Sequence, residues 1–246
     1  MKSGRTKHTG MQKEYHELVQ RWNTGLAPLA RSWHSAKDLF YPGRVARTID
    51  EALKHPDINI ATPIFVLSAF MTLALSLIST VESVHLAEYT MGIIADMGAT
   101  PPMLDFSNLG AMVVYQYVMY VPVALLFIAI HEVLVYRIAR ATGGKGDFGR
   151  QFYLSSLVAL SMAFLSVLYL FMPLPCINFL ALAGLVVGGL YLSLYVNSKI
   201  YAKVHGIGYM HALAINIAVS VLRIAAIYFL MSGILSLLGL PTTAGF

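Results

Sequence analysis

Cysteine, tryptophan and charge are all scarce in this 246-residue chain. It has one Cys, two Trp and only 12% charged residues, against about 25% in an ordinary soluble domain. The lone cysteine, Cys176, excludes an internal disulfide and a cysteine-rich metal site. No H-E-x-x-H, G-x-S-x-G or paired-Asp motif occurs, so the common signatures of zinc hydrolysis and nucleophilic catalysis are missing. "HEVLVY" holds His131-Glu132 but no second His four residues after the first. His205 and His211 are six apart, poorly placed for one helix face. Tyr115, Tyr117 and Tyr120 suit packing or an interface better than a cofactor. The expectation is a non-enzyme with no cofactor and no metal.

Apolar residues are what the chain has in abundance. They make up 57% of it, and its mean hydropathy is +0.67. Five apolar regions reach the roughly 18 residues that mark a transmembrane candidate: Ile60–Ser79, Leu109–Tyr136, Phe152–Phe171, Ile177–Val196 and Ala212–Leu237. The second and fifth exceed the roughly 20 residues one crossing needs, so they tilt, kink or protrude. Pro122 gives the second a place to kink. The predicted fold is all-α, a polytopic transmembrane bundle of five spans. Residues 1–37 form a basic segment, 38–59 an amphipathic interfacial segment, 60–238 the membrane domain and 239–246 a short tail.

Charge is distributed unevenly. The net charge of +5 includes seventeen Lys and Arg, ten of which precede the first span. Arg137, Arg140, Lys145 and Arg150 follow the second, and Lys199 and Lys203 the fourth. Val81–Asn108 instead carries Glu82, Glu88, Asp96 and Asp105 with no Lys or Arg, and "MPLPC" and "GLPTTAGF" are uncharged. Lys and Arg mark the cytoplasmic side. The amino terminus is therefore expected inside and the carboxyl terminus outside, at the plasma membrane in a prokaryote. The basic excess reads as topology rather than nucleic-acid binding. The four outer carboxylates lack an EF-hand spacing and read as a solvated cap. The first 59 residues are charged and lack the apolar core of a cleavable signal.

Before the first span, "EYHELVQRW" and "VARTIDEALKH" read as helices. In the second, Val45, Ile49, Ala52 and Leu53 share a face. That face fits the inner leaflet or the cytoplasmic ends of the spans equally well. Beyond the first span, Val84, Ala87, Met91 and Ile94 suggest a short outer amphipathic helix, broken by Pro101-Pro102.

Three features invite a functional reading. Gly143-Gly144-Lys145-Gly146-Asp147-Phe148, followed by Arg150, resembles a phosphate cradle. A P-loop, however, needs G-x-x-x-x-G-K-[ST] after a strand, and here Lys145 precedes Gly146 after a long apolar run. The glycines fit an interhelical turn, with Asp147 capping the next helix and Lys145 and Arg150 forming a docking surface. Gly184 and Gly188 form G-x-x-x-G, which allows close helix approach within the chain or between copies. Asn216, Ser220 and Arg223 make a polar stripe in the fifth span, Arg223 near its middle. A central Arg costs about 2.5–3.5 kcal/mol on insertion scales and so calls for partners. Glu132, with His131 beside it, is the candidate counter-ion, directly or through one polar intermediary. The set reads as a clamp that fixes helix register, or as an ion or proton path.

Three landmarks in order resemble the Yip domain family, five-span membrane proteins named for interaction with Ypt/Rab GTPases. "DLFYPGRVARTIDEALKHPD" carries Asp38, Leu39 and Pro42, and "GGKGDFGRQF" carries Gly143, Gly144, Gly146 and Phe148. "YAKVHGIGYMHA" supplies His205, Gly206 and Ala212. The resemblance runs from about Leu39 to Leu237 and is to the broad family, prokaryotic members included. It implies a non-catalytic role, organising the membrane or docking a protein partner at the cytoplasmic face. A small-solute or ion transporter using Arg223 and Glu132 is the alternative. An accessory subunit, homo- or hetero-oligomeric and joined through Gly184 and Gly188, is a further one.

Overall fold

A computed structural model describes residues 27–97 and 121–237. Helix α1 covers 27–38 and α2 covers Val45–Lys54; a single 3-10 turn, Ile58–Ile60, leads into α3, Ala61–Asp96. Helix α4 is Val121–Ala141, and α5, Phe148–Leu165, continues as a 3-10 stretch over Ser166–Phe171. Helix α6, Asn178–Leu190, passes through a π-helical segment, Tyr191–Val196, into α7, Asn197–His205. Helix α8, Tyr209–Leu237, follows. Among the described residues there are helices and turns and no strand.

Four stretches among the described residues are long and apolar enough to cross a membrane: Ile58–Ile94, Phe148–Phe171, Asn178–His205 and Tyr209–Leu230. The chain is thus an all-helical bundle with four candidate spans, suited to contact with a lipid bilayer. The expected second span begins outside the described residues and enters them as α4. The reading of "EYHELVQRW" and the Pro101-Pro102 break also lie outside them.

Helix α3 differs from expectation. The outer amphipathic helix is no separate element, because α3 runs unbroken to Asp96. No proline and only Gly92 interrupt it after Pro63. Its hydroxyls turn back onto its own backbone, as in Thr80 to Ser76 at 2.9 Å and Ser83 to Ser79 at 2.8 Å. Thirty-six residues span about 54 Å at 1.5 Å per residue, well beyond a hydrocarbon core of about 30 Å. The helix must project from it.

Helix α5 is the most enclosed of the candidate spans. Its buried Tyr153, Leu154, Leu157, Val158 and Leu160 join Val196, Ile200 and Tyr201 in one core. Helices α1 and α2 complete that core. The predicted apolar face of α2 is buried at Val45, Ile49 and Ala52, so it packs on the bundle rather than facing lipid. Ser161 donates to the Ala36 carbonyl at 2.8 Å and Tyr191 to that of Leu39 at 3.1 Å. Trp33 meets Phe164 edge-on, with centroids 4.3 Å apart. At the intervening turn, Asp38 accepts from Arg44 at 2.9 Å while Pro42 stays exposed. Lys203 pairs with Asp50 at 2.8 Å.

The G-x-x-x-G pattern is used inside the chain. A Cβ on Gly188 would lie 2.8 Å from Leu165 Cδ2, and one on Gly184 would lie 2.8 Å from Leu168 Cδ1. These glycines seat α6 on α5, so the face expected for an accessory-subunit joint is already filled.

Candidate functional site

The glycine turn explains itself through its hydrogen bonds. Gly143 has φ +98, and its amide donates to Arg140 O at 3.2 Å while that of Gly144 reaches Ala139 O at 2.8 Å. That pair is a Schellman cap on α4. Asp147 then caps α5, accepting from the Arg150 amide at 3.0 Å, as the sequence suggested. Between the two caps, Lys145 N donates to His205 O at 3.0 Å, tying the turn to the end of α7. Gly206, at φ +65, terminates α7, and Ile207 N returns to Ala202 O at 3.1 Å. Glycine is required by proximity as well as by φ. A Cβ on Gly146 would lie 2.6 Å from both His205 Nδ1 and Val204 O. One on Gly144 would meet Ala139 O at 2.7 Å. The turn is a flush joint between helix ends. The side chains of Arg137, Arg140, Lys145 and Arg150 are left exposed around it.

The base-rich segments meet here. Gly149 borders Ile58, α2 is pinned by Asp50 to Lys203, and the turn rests on His205. The segment before α3, the α4–α5 turn and the α7–α8 turn thus share one end of the bundle. Ala212 lies buried just beyond that last turn. Phe148 stacks on Phe152 at 5.9 Å and meets Tyr136 edge-on at 5.4 Å, and Tyr136 lies 5.8 Å from the His205 ring.

Immediately inside this joint lies a buried polar chain. Glu132, 4% exposed, accepts on Oε2 from Gln151 Nε2 at 2.8 Å and Ser155 Oγ at 2.9 Å, and on Oε1 from Tyr201 OH at 2.8 Å. Gln151 Nε2 also donates to the Glu132 carbonyl at 2.9 Å. With its nitrogen so committed, Gln151 presents Oε1 to His205 Nε2 at 2.8 Å, and that ring nitrogen must carry the proton. Every donor therefore points toward Glu132. These bonds satisfy both oxygens of a carboxyl group that is taken out of water. The arrangement ties α4, α5 and α7 together.

The polar stripe of α8 is split. Asn216 is buried and donates to Ser193 O at 2.7 Å and Ser198 Oγ at 3.1 Å. Ser193 sits in the π-helical segment, whose i→i+5 bonding departs from the regular helix on either side. His131 is buried beside Asn216, its Nδ1 without a hydrogen bond. Ser220 is half-buried. Arg223, also half-buried, forms no ion pair with Glu132. The pairing was expected directly or through one polar intermediary; the direct contact is not made, and Glu132 accepts from Gln151, Ser155 and Tyr201.

Arg223 and Glu132 nevertheless border one half-open pocket of about 410 Å³ between α3, α4, α5, the π segment and α8. Phe65, Leu73, Phe152 and Met162 give it a mostly apolar wall. Asn197, whose Oδ1 is buried without a partner, also lines it.

Gln151, Ser155, Tyr201 and Asn197 were not singled out in the sequence. Gln151 and Ser155 stand four apart at the start of an apolar helix, a spacing that could have marked a polar stripe. Nothing local marked Tyr201 or the π segment. No protein-family model, no curated protein and no solved structure matches the chain.

Proposed function

We propose that this chain is a non-catalytic, five-span integral membrane protein of Yip-domain type that docks an acidic protein partner at its cytoplasmic face. Helix α4 is the fifth span in this reading, the amino terminus is inside and the carboxyl terminus outside. The observation that carries it is the joint between the glycine turn and His205, made by Lys145 N to His205 O and by the close fit of Gly146. It holds exposed Arg137, Arg140, Lys145 and Arg150 on a built surface instead of a loose loop. Fixed charges of one sign steer a complementary partner and fix its register. The test is affinity purification in mild detergent from the source membrane. A partner retained by the wild type and lost from Lys145→Glu/Arg150→Glu supports docking there; retention by the double variant removes that surface.

A second reading, a small-solute or ion transporter, draws on the cavity bordered by Glu132 and Arg223. Flux in proteoliposomes that disappears in a folded Arg223→Gln variant would favour it over docking.

A further inference from the structure

The pocket bordered by Glu132 and Arg223 is a feature that the docking reading leaves unused, and its lining is unevenly matched. The Glu132 carboxylate is already satisfied by Gln151, Ser155 and Tyr201. Arg223 faces the same space and makes no ion pair among the described residues. A guanidinium beside an apolar void inside a spanning bundle is costly without an anion. Its planar fork matches a carboxylate in two parallel hydrogen bonds.

The rest of the wall selects what else the ligand carries. Phe65, Leu73, Phe152, Val158 and Met162 offer hydrocarbon contact, while Asn197 and Ser155 add a few polar points. Largely apolar pockets of about 300–1,000 Å³ with few convergent polar groups are the usual form of small-molecule sites, and this one measures about 410 Å³. That volume suits one hydrocarbon chain.

We infer that the cavity binds a single-chain amphiphilic carboxylate, its carboxylate on Arg223 and its hydrocarbon chain along α3 and α5. This goes beyond the docking reading and does not depend on it, because Arg137, Arg140, Lys145 and Arg150 are not among the residues that line the pocket.

Dodecanoate is the probe, with dodecanol and dodecyltrimethylammonium as neutral and cationic controls of equal chain length. The full-length protein in lipid nanodiscs is followed by thermal unfolding and by native mass spectrometry. Ligands of the native state raise its melting temperature by mass action. Dodecanoate is expected to give a saturable rise and one bound equivalent, with both controls at least tenfold weaker. Arg223→Gln should weaken dodecanoate at least tenfold, and Arg223→Lys, which keeps charge but loses the fork, should fall between. Ala159→Phe fills the cavity from α5 and should abolish binding; Ala69→Phe does so from α3, should the first variant not fold. Absence of a saturable dodecanoate effect overturns the proposal. So does dodecanol binding as tightly as dodecanoate, or binding that survives both Arg223→Gln and a folded cavity-filling variant.

Discussion

Gln151 holds Glu132 twice, through its main-chain carbonyl at 2.9 Å and its carboxylate at 2.8 Å, both from one amide nitrogen. Backbone and side chain of α4 are thereby fixed to α5 by a single residue. The same residue passes its carbonyl oxygen to His205, whose own backbone carbonyl receives Lys145. Three helices and the glycine turn are joined without a salt bridge at the centre. The base-rich surface inherits its rigidity from a group inside the bundle.

Gln151→Leu should be the most damaging neutral substitution in the clamp. It leaves both Glu132 and His205 short of a partner, and each buried unsatisfied group costs about 1–3 kcal/mol. Tyr201→Phe removes one donor to Glu132 Oε1 and should cost about 1–2 kcal/mol on the same scale. Thermal unfolding in a fixed detergent should rank Gln151→Leu below Tyr201→Phe, and both below wild type. The reverse order would place the weight of the clamp on α7 instead of α5.

The turn predicts a contrast between two glycines. Gly146→Ala puts a methyl 2.6 Å from His205 Nδ1 and Val204 O, whereas a methyl on Gly208 meets nothing within 4 Å. Overpacking of this kind costs typically about 1–3 kcal/mol. Gly146→Ala should lower the unfolding midpoint, and Gly208→Ala should leave it within about 0.5 kcal/mol, the range of neutral surface changes. Equal effects would mean that the turn is not seated on α7.

ATP and GTP should leave the melting temperature unchanged at millimolar concentration. The amides of Gly143, Gly144 and Lys145 already bond to protein carbonyls, and a phosphate cradle needs those amides free. A saturable shift that disappears in Lys145→Ala would reverse this reading.

Much of this fold was legible because membrane solvation writes long signals. A hydrocarbon core of about 30 Å demands apolar runs of about 20 residues, and four of the five expected runs reappear as candidate spans. The caps at Gly143 and Asp147 were readable from local turn chemistry, whereas Gly206 was noted only for the resemblance of its motif. The partner of Glu132 was not, because Gln151 and Tyr201 lie 19 and 69 residues away, and a pairing of that kind is decided by packing. Charge type suggested Arg223 instead. The packing partner of Gly184 and Gly188 was hidden for the same reason: small-residue spacing announces a close contact without naming its other half.

Membrane sidedness has a direct test. The segment before α3 and the α4–α5 and α7–α8 turns share one end, so cysteines at His55, Thr142 and Gly208 should all be labelled from one side by an impermeant thiol reagent. All three positions are exposed. Native Cys176, exposed in the turn between the 3-10 end of α5 and α6, should be labelled from the other side; the three probes are therefore made in a Cys176→Ser background. Labelling of Cys176 from the same side as Thr142 would break the two-crossing path through α5 and α6.

The relation between Arg223 and Glu132 can be measured by a double-mutant cycle. Breaking a buried ion pair by removing one partner typically costs about 3–5 kcal/mol, and the loss is largely recovered when both charges go. Here the two residues share a cavity wall without an ion pair, and Glu132 has its own donors. Glu132→Leu should therefore be costly because it strands Gln151, Tyr201 and Ser155, while Arg223→Leu should be mild or stabilising in the absence of ligand. The two effects should add to within about 1 kcal/mol, as for residues that interact only through an intervening medium. Thermal unfolding of wild type, both single variants and the double variant in one detergent gives the coupling directly. A coupling of about 3 kcal/mol or more, on the scale of a broken buried pair, would show that Arg223 crosses the cavity to Glu132 and that the space belongs to the protein's own side chains.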